Sequence, residues 1–181
     1  MTFTKSVLAT SLALVCLSLT AAAASNPSAP TSHTVIGQTG AIISETEFCL
    51  FLPPEYGGGI AENEDRAVAF CTNPISTAPK AGTLPKGFVQ SAHLIRNTQK
   101  DWVQITGRID RTKYGLSKND GGGQYDIKAP RGAKCAGYNH FVELVEPDIQ
   151  TYCIRCCKEK VDCPTHRSTY GCMKVLGGDY S

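Results

Sequence analysis

Apolar residues in this chain fall in short runs cut by turn chemistry, a spacing that predicts strands. Phe48-Cys49-Leu50-Phe51-Leu52 stops at Pro53-Pro54, which cannot donate to a central sheet ladder. Residues 66–72 (RAVAFCT) form a second run, ended by Asn73-Pro74. Between them Glu55 to Asp65, with three consecutive glycines, reads as a loop. Phe88 to Ile95 is a third strand candidate, and Phe141 to Val145 a fifth, ended by Glu146-Pro147. The fourth, Trp102 to Tyr114, has the clearest pattern. There Val103, Ile105 and Ile109 alternate with Gln104, Thr106, Arg108 and Asp110, the period of two expected of a half-buried strand. Gly107 inside it reads as a bulge. Residues 73–87, 117–123 and 129–137 are Gly/Pro-rich or polar connections. No apolar helical stripe runs for three turns. The pattern predicts one mostly β domain over 35–181: an antiparallel barrel or sandwich with long loops and a disulfide-rich C-terminal segment.

The first 24 residues follow a different rule. Lys5 precedes an apolar stretch from Val7 to Leu19, and Ala22-Ala23-Ala24 supplies small residues for cleavage, the three-part form of a secretory signal peptide. The run is too short and too interrupted by Ser11, Ser18 and Thr20 to serve as a membrane anchor. Residues 25–34 (SNPSAPTSHT) are small, polar and proline-broken, as in a flexible segment. The expected location is extracellular, with cell-wall association open to the released protein.

Export changes the reading of the cysteines. Of nine, Cys16 leaves with the leader, so eight remain: Cys49, Cys71, Cys135, Cys153, Cys156, Cys157, Cys163 and Cys172. An even number in an exported chain favours four disulfides over a redox Cys153-x-x-Cys156 pair or a zinc set. Cys49 and Cys71 lie on two runs joined by a glycine-rich loop, and their pairing with each other leaves six cysteines to pair within the C-terminal region. Neighbours Cys156 and Cys157 go to different partners. On a strand their side chains point to opposite faces, tying the tail to two layers.

Charge excludes some partners. Without Lys5 the chain carries 17 basic against 16 acidic side chains, a balance that gives no field for nucleic acid. The basic group Arg108, Arg111, Lys113 and Lys118 is diluted by Asp101, Asp110 and Asp120. There is no Gly-x-Ser-x-Gly, His-Glu-x-x-His, phosphate-loop or calcium-loop motif. The four histidines are scattered. No cofactor, metal site or catalytic residue is expected. Two stretches remain as binding candidates. One is the polar side of the fourth strand, where Trp102, Gln104, Arg108, Asp110 and Tyr114 share a face if the apolar set turns inward; aromatic ends with hydrogen-bonding groups between them suit a sugar. The other is Asp120-Gly121-Gly122-Gly123-Gln124-Tyr125-Asp126, where carboxylates flank a backbone free to approach a ligand closely.

Several blocks together resemble a known family. They are FCLFLPP (48–54), AVAFCT (67–72), WVQITGRIDRTKY (102–114), GGGQYD (121–126), KCAGYNHFVELVEP (134–147), YCIRCC (152–157) and the closing GDYS. They are similar to small secreted cysteine-rich fungal proteins, some labelled macrophage-activating glycoproteins. The resemblance implies a fungal source and transfers no established activity. The function expected is non-catalytic: binding cell-wall polysaccharide, or meeting a host extracellular protein in the manner of an effector. The alternatives are a glycan hydrolase using Asp110, Asp120 and Asp126, which would need paired carboxylates, and an inhibitor of extracellular enzymes.

Overall fold

The structure, a computed structural model, describes Met1 and residues 36–126 and 130–181. The expected signal peptide and the segment 25–34 lie outside the described residues. Ten strands follow in chain order: β1 (Thr39–Gly40), β2 (Cys49–Leu52), β3 (Val68–Cys71), β4 (Gly82–Thr83), β5 (His93–Asn97), β6 (Trp102–Arg108), β7 (Gly123–Tyr125), β8 (Lys134–Cys135), β9 (His140–Glu146) and β10 (Thr151–Cys157). Among the described residues a single short α-helix, α1 (Gly171–Val175), precedes the C-terminal residues. The protein is mostly β, as the periodicity predicts.

A five-stranded antiparallel sheet runs in the order β5-β6-β10-β9-β7. A three-stranded sheet, β2-β3-β4, packs on one face of it. β3 and β4 pair in parallel within that sheet, and a short parallel pair of β1 with β8 stands beside it. The main core lies between the sheets. Phe48 stacks on Tyr152 at 5.8 Å between ring centroids, and Phe51 on Phe141 at 4.9 Å. Each such ring taken out of water contributes about 1.5–3 kcal/mol.

The five-stranded sheet is also covered on its other face. Val142 and Leu144 of β9 meet Cys153 and Cys157 of β10, and residues 163–180 close over them with Cys163, Cys172, Val175, Leu176 and Tyr180. This second layer explains the strand that periodicity missed. β10 lies at the centre of the sheet, yet its sequence TYCIRCC places cysteine on both sides, so no apolar–polar alternation marks it.

The disulfides fasten the two layers separately. Cys49 bonds Cys71, its direct partner across β2 and β3. Cys156 bonds Cys135 on the side of the main core, while its neighbour Cys157 bonds Cys163 in the C-terminal layer. Cys153 bonds Cys172 at α1. Cys153 and Cys156 therefore do not form a redox pair with each other.

Gly107 corrects another expectation. It stays in register with Tyr152 of β10, with no extra residue. The doubled residue lies opposite, where Gln90 and Ser91 both donate to the Arg108 carbonyl, at 2.9 and 3.4 Å. Glycine is required at 107 by close approach, because a Cβ there would lie 2.1 Å from the Ser91 carbonyl oxygen.

Candidate functional site

The polar side of β6 is not an open face. Gln104 and Thr106 are both buried, because the C-terminal segment lies on them. Gln104 Nε2 donates to the Gly177 carbonyl at 3.1 Å, and Thr106 Oγ1 to the Asp179 carbonyl at 2.7 Å. Trp102 is half-buried beside them, its ring covered by the Arg155 guanidinium at 4.2 Å. That guanidinium donates in turn to Gln104 Oε1 and to the carbonyls of Asp162 and Leu176. The row expected to meet a ligand meets the chain itself.

The rest of that row leaves the strand plane. Arg108 is exposed at the end of β6. Asp110 caps the 3-10 turn Arg111–Tyr114, accepting the Thr112 N–H at 3.0 Å and its hydroxyl at 2.6 Å. The hydroxyl bond in particular holds the Asp110 carboxyl below its ordinary range. Tyr114 is buried in the main core and donates to the Pro53 carbonyl at 2.7 Å; burial pushes its phenol well up. Trp102 and Tyr114 therefore do not frame a common outer surface.

The glycine-rich stretch fares differently. Asp120 connects two loops: Oδ2 accepts the Ile60 N–H at 2.8 Å and Oδ1 the Gly122 N–H at 2.9 Å. It thereby sets the triplet Gly57-Gly58-Gly59 beside the triplet Gly121-Gly122-Gly123. Between them opens a groove of about 500 Å³, lined by two glycines of each triplet and by Ile60, Ala61, Glu62, Ser117, Asn119 and Asp120. Glycine at 123 is needed for this approach, since a Cβ there would crowd Ala61, while glycine at 122 is needed against β9, where a Cβ would fall 2.0 Å from the Val145 carbonyl oxygen. Tyr125 sits beneath, fully buried, its hydroxyl donating to the Ile60 carbonyl at 3.3 Å. Asp126 is buried as well, close enough to Glu64 to add to the burial that raises the Glu64 carboxyl.

Of the eight candidate residues, only Asp120 lines this groove; Tyr125 supports its floor. Glu62, Ser117, Asn119 and the adjoining Tyr56 were not anticipated. A repeat of the glycine triplet at 57–59 and 121–123 was the signal available.

The three aspartates named for hydrolysis do not line one cleft. Asp110 serves a cap, Asp126 is buried, and both Asp120 oxygens are engaged by main-chain donors. The carboxyl that burial pushes highest, Glu143, is fully buried in the core and out of reach of a substrate. Among the described residues no group of three His, Cys, Asp or Glu side chains is placed to hold a metal ion. No helix among them is long and apolar enough to cross a membrane.

The chain resembles two fungal appressorium proteins. It is 39% identical over 102 residues to appressorium protein ROW1 of Mycosarcoma maydis, a match covering 55% of this chain and 22% of that protein. It is 26% identical over 177 residues to appressorium protein ROW2 of the same fungus, covering 83% of this chain and 54% of that one. The chain thus spans about a fifth of the first relative and about half of the second. No family model and no solved structure matches it.

Proposed function

We propose that this is an exported, non-catalytic fungal protein that works at the boundary between fungus and host by holding cell-wall polysaccharide. The similarity to two appressorium proteins carries the reading, since an appressorium is the structure with which a fungus presses on its host. Four disulfides suit an oxidising, extracytoplasmic setting. A groove with hydrogen-bonding side chains, in which both Asp120 oxygens are engaged by main-chain donors, suits retention of a glycan rather than its cleavage.

The test is retention of the purified, oxidised protein on insoluble chitin, β-glucan and mannan. Retention on at least one, eluted by the matching soluble oligosaccharide, supports the proposal. Passage through all three removes the polysaccharide half and leaves contact with a host extracellular protein as the reading to pursue.

A further inference from the structure

We infer that the groove between the two glycine triplets is a subsite for a neutral pyranose chain of gluco configuration, with Tyr56 as its stacking ring. The inference rests on the polysaccharide reading above and specifies where and how the chain is held.

The lining decides the class of ligand. It holds no lysine, arginine or histidine, so a phosphate, sulfate or uronate would enter without a counter-charge. The Ile60 and Gly122 N–H groups, which might otherwise cradle an anion, are already donated to Asp120. Calcium or magnesium is equally ill served, because either takes six or more oxygen ligands while both Asp120 oxygens accept main-chain hydrogen bonds. What remains is a set suited to hydroxyls: the Glu62 carboxylate as acceptor, Ser117 as donor or acceptor, and the Asn119 amide as both. A volume of about 500 Å³ is within the range of small-ligand sites and has room for more than one pyranose ring.

Tyr56 supplies the apolar half of sugar recognition. Its side chain is 48% exposed, unusual for a ring also held in place. The ring lies against Gly115, where φ is +68° and a Cβ would fall 2.4 Å from Tyr56 Cε1. Its hydroxyl donates to the Thr112 carbonyl at 3.2 Å, and it tilts onto the buried Tyr114 ring at 5.7 Å between centroids. Such a ring loses little side-chain freedom when a ligand covers it. The next residue, Gly57, lines the groove, and Gly115 against the ring lies two residues before Ser117, another lining residue. A gluco-configured pyranose has equatorial hydroxyls and a flat C–H face, and can lay that face on an aromatic ring while its edge hydroxyls reach polar groups. A manno-configured ring carries one axial hydroxyl that spoils this face.

Calorimetric titration of the oxidised protein with laminarihexaose, chitohexaose and mannohexaose distinguishes the sources. We expect one of the first two to bind and mannohexaose to bind at least about tenfold more weakly. Tyr56→Ala should weaken the preferred hexamer at least about tenfold and Tyr56→Phe by less than about threefold. Glu62→Gln and Asn119→Ala should each weaken it severalfold, with melting temperatures within a few degrees of the parent. If the parent binds a hexamer and neither Tyr56→Ala nor Glu62→Gln changes the affinity, the site is elsewhere: this inference falls and the polysaccharide reading stands. Equal affinity for mannohexaose overturns the stated configuration. Failure of the parent to bind any hexamer, with no retention on the insoluble polymers, overturns both.

Discussion

Both oxygens of the Glu143 carboxyl accept the same donor, the backbone N–H of Phe51, at 2.9 and 3.0 Å. Glu143 lies on β9, level with Tyr125 of β7 and Ile154 of β10, and is fully buried. Phe51 lies on β2, so this one contact joins the five-stranded sheet to the edge of the three-stranded one. It satisfies a strand N–H that would otherwise be orphaned in the core. Tyr125 and Tyr152 are the titratable groups facing it, their own phenols pushed up chiefly by burial and further by Glu143.

Stability should therefore fall as pH rises. Burial pushes the Glu143 carboxyl well above its ordinary value of 4.5, against the opposing pull of the Phe51 N–H. The folded state then holds this proton more tightly than the unfolded chain. Its contribution is complete below pH 4.5 and is lost as pH climbs towards the folded value. Melting temperatures measured from pH 4 to 8 should decline more steeply for the parent than for Glu143→Gln, which should melt higher than the parent at pH 8. A parent profile no steeper than that of the variant would contradict this account.

The disulfides should differ in worth according to the loop each closes. Cys49–Cys71 spans 22 residues and Cys157–Cys163 only six. Loop-closure entropy assigns the first about 3.4 kcal/mol and the second about 2.2 kcal/mol. Paired Cys→Ala variants, unfolded in denaturant under non-reducing conditions, should keep that order.

Gly107→Ala should be severely destabilising although it adds a single methyl group. The new atom meets backbone at the Ser91 carbonyl and lies 3.1 Å from the Tyr152 hydroxyl, which itself donates to that carbonyl at 3.0 Å. Relief requires two strands to part, at a cost of about 3 kcal/mol. A shift of less than about 1 kcal/mol in urea unfolding would mean the strands separate more easily than their packing implies.

The C-terminal residues should loosen when their anchor on β6 is removed. Thr106→Val keeps the shape of the side chain but leaves the Asp179 carbonyl without its 2.7 Å donor. The cost is about 1–2 kcal/mol, felt mainly in the segment 177–181. Faster amide exchange at Tyr180 and Ser181, with the centre of the five-stranded sheet unchanged, is the expected result. Slower or unchanged exchange there would show that the Gln104 bond to Gly177 and the burial of Tyr180 hold the segment without it.

The amino-acid pattern alone carried the β class, the strands around Phe48–Leu52, Val68–Cys71, Trp102–Arg108 and Phe141–Val145, and the pairing of Cys49 with Cys71. These are local matters: a period of two, a proline stop, two runs joined by a short loop. It also implied opposite directions for Cys156 and Cys157, because neighbours on a strand must diverge. It did not reveal that β10 is the central strand, nor that Gln104 and Thr106 are sealed. Alternation tells which side chains share a side of a strand, not what comes to lie on that side. Here the chain's own last residues do so, in a layer fastened by Cys153–Cys172 and Cys157–Cys163. The groove is the same lesson in reverse. Its two glycine triplets are some sixty residues apart, and tertiary contacts make them neighbours, the Asp120 carboxylate and the Tyr125 hydroxyl both reaching across to Ile60.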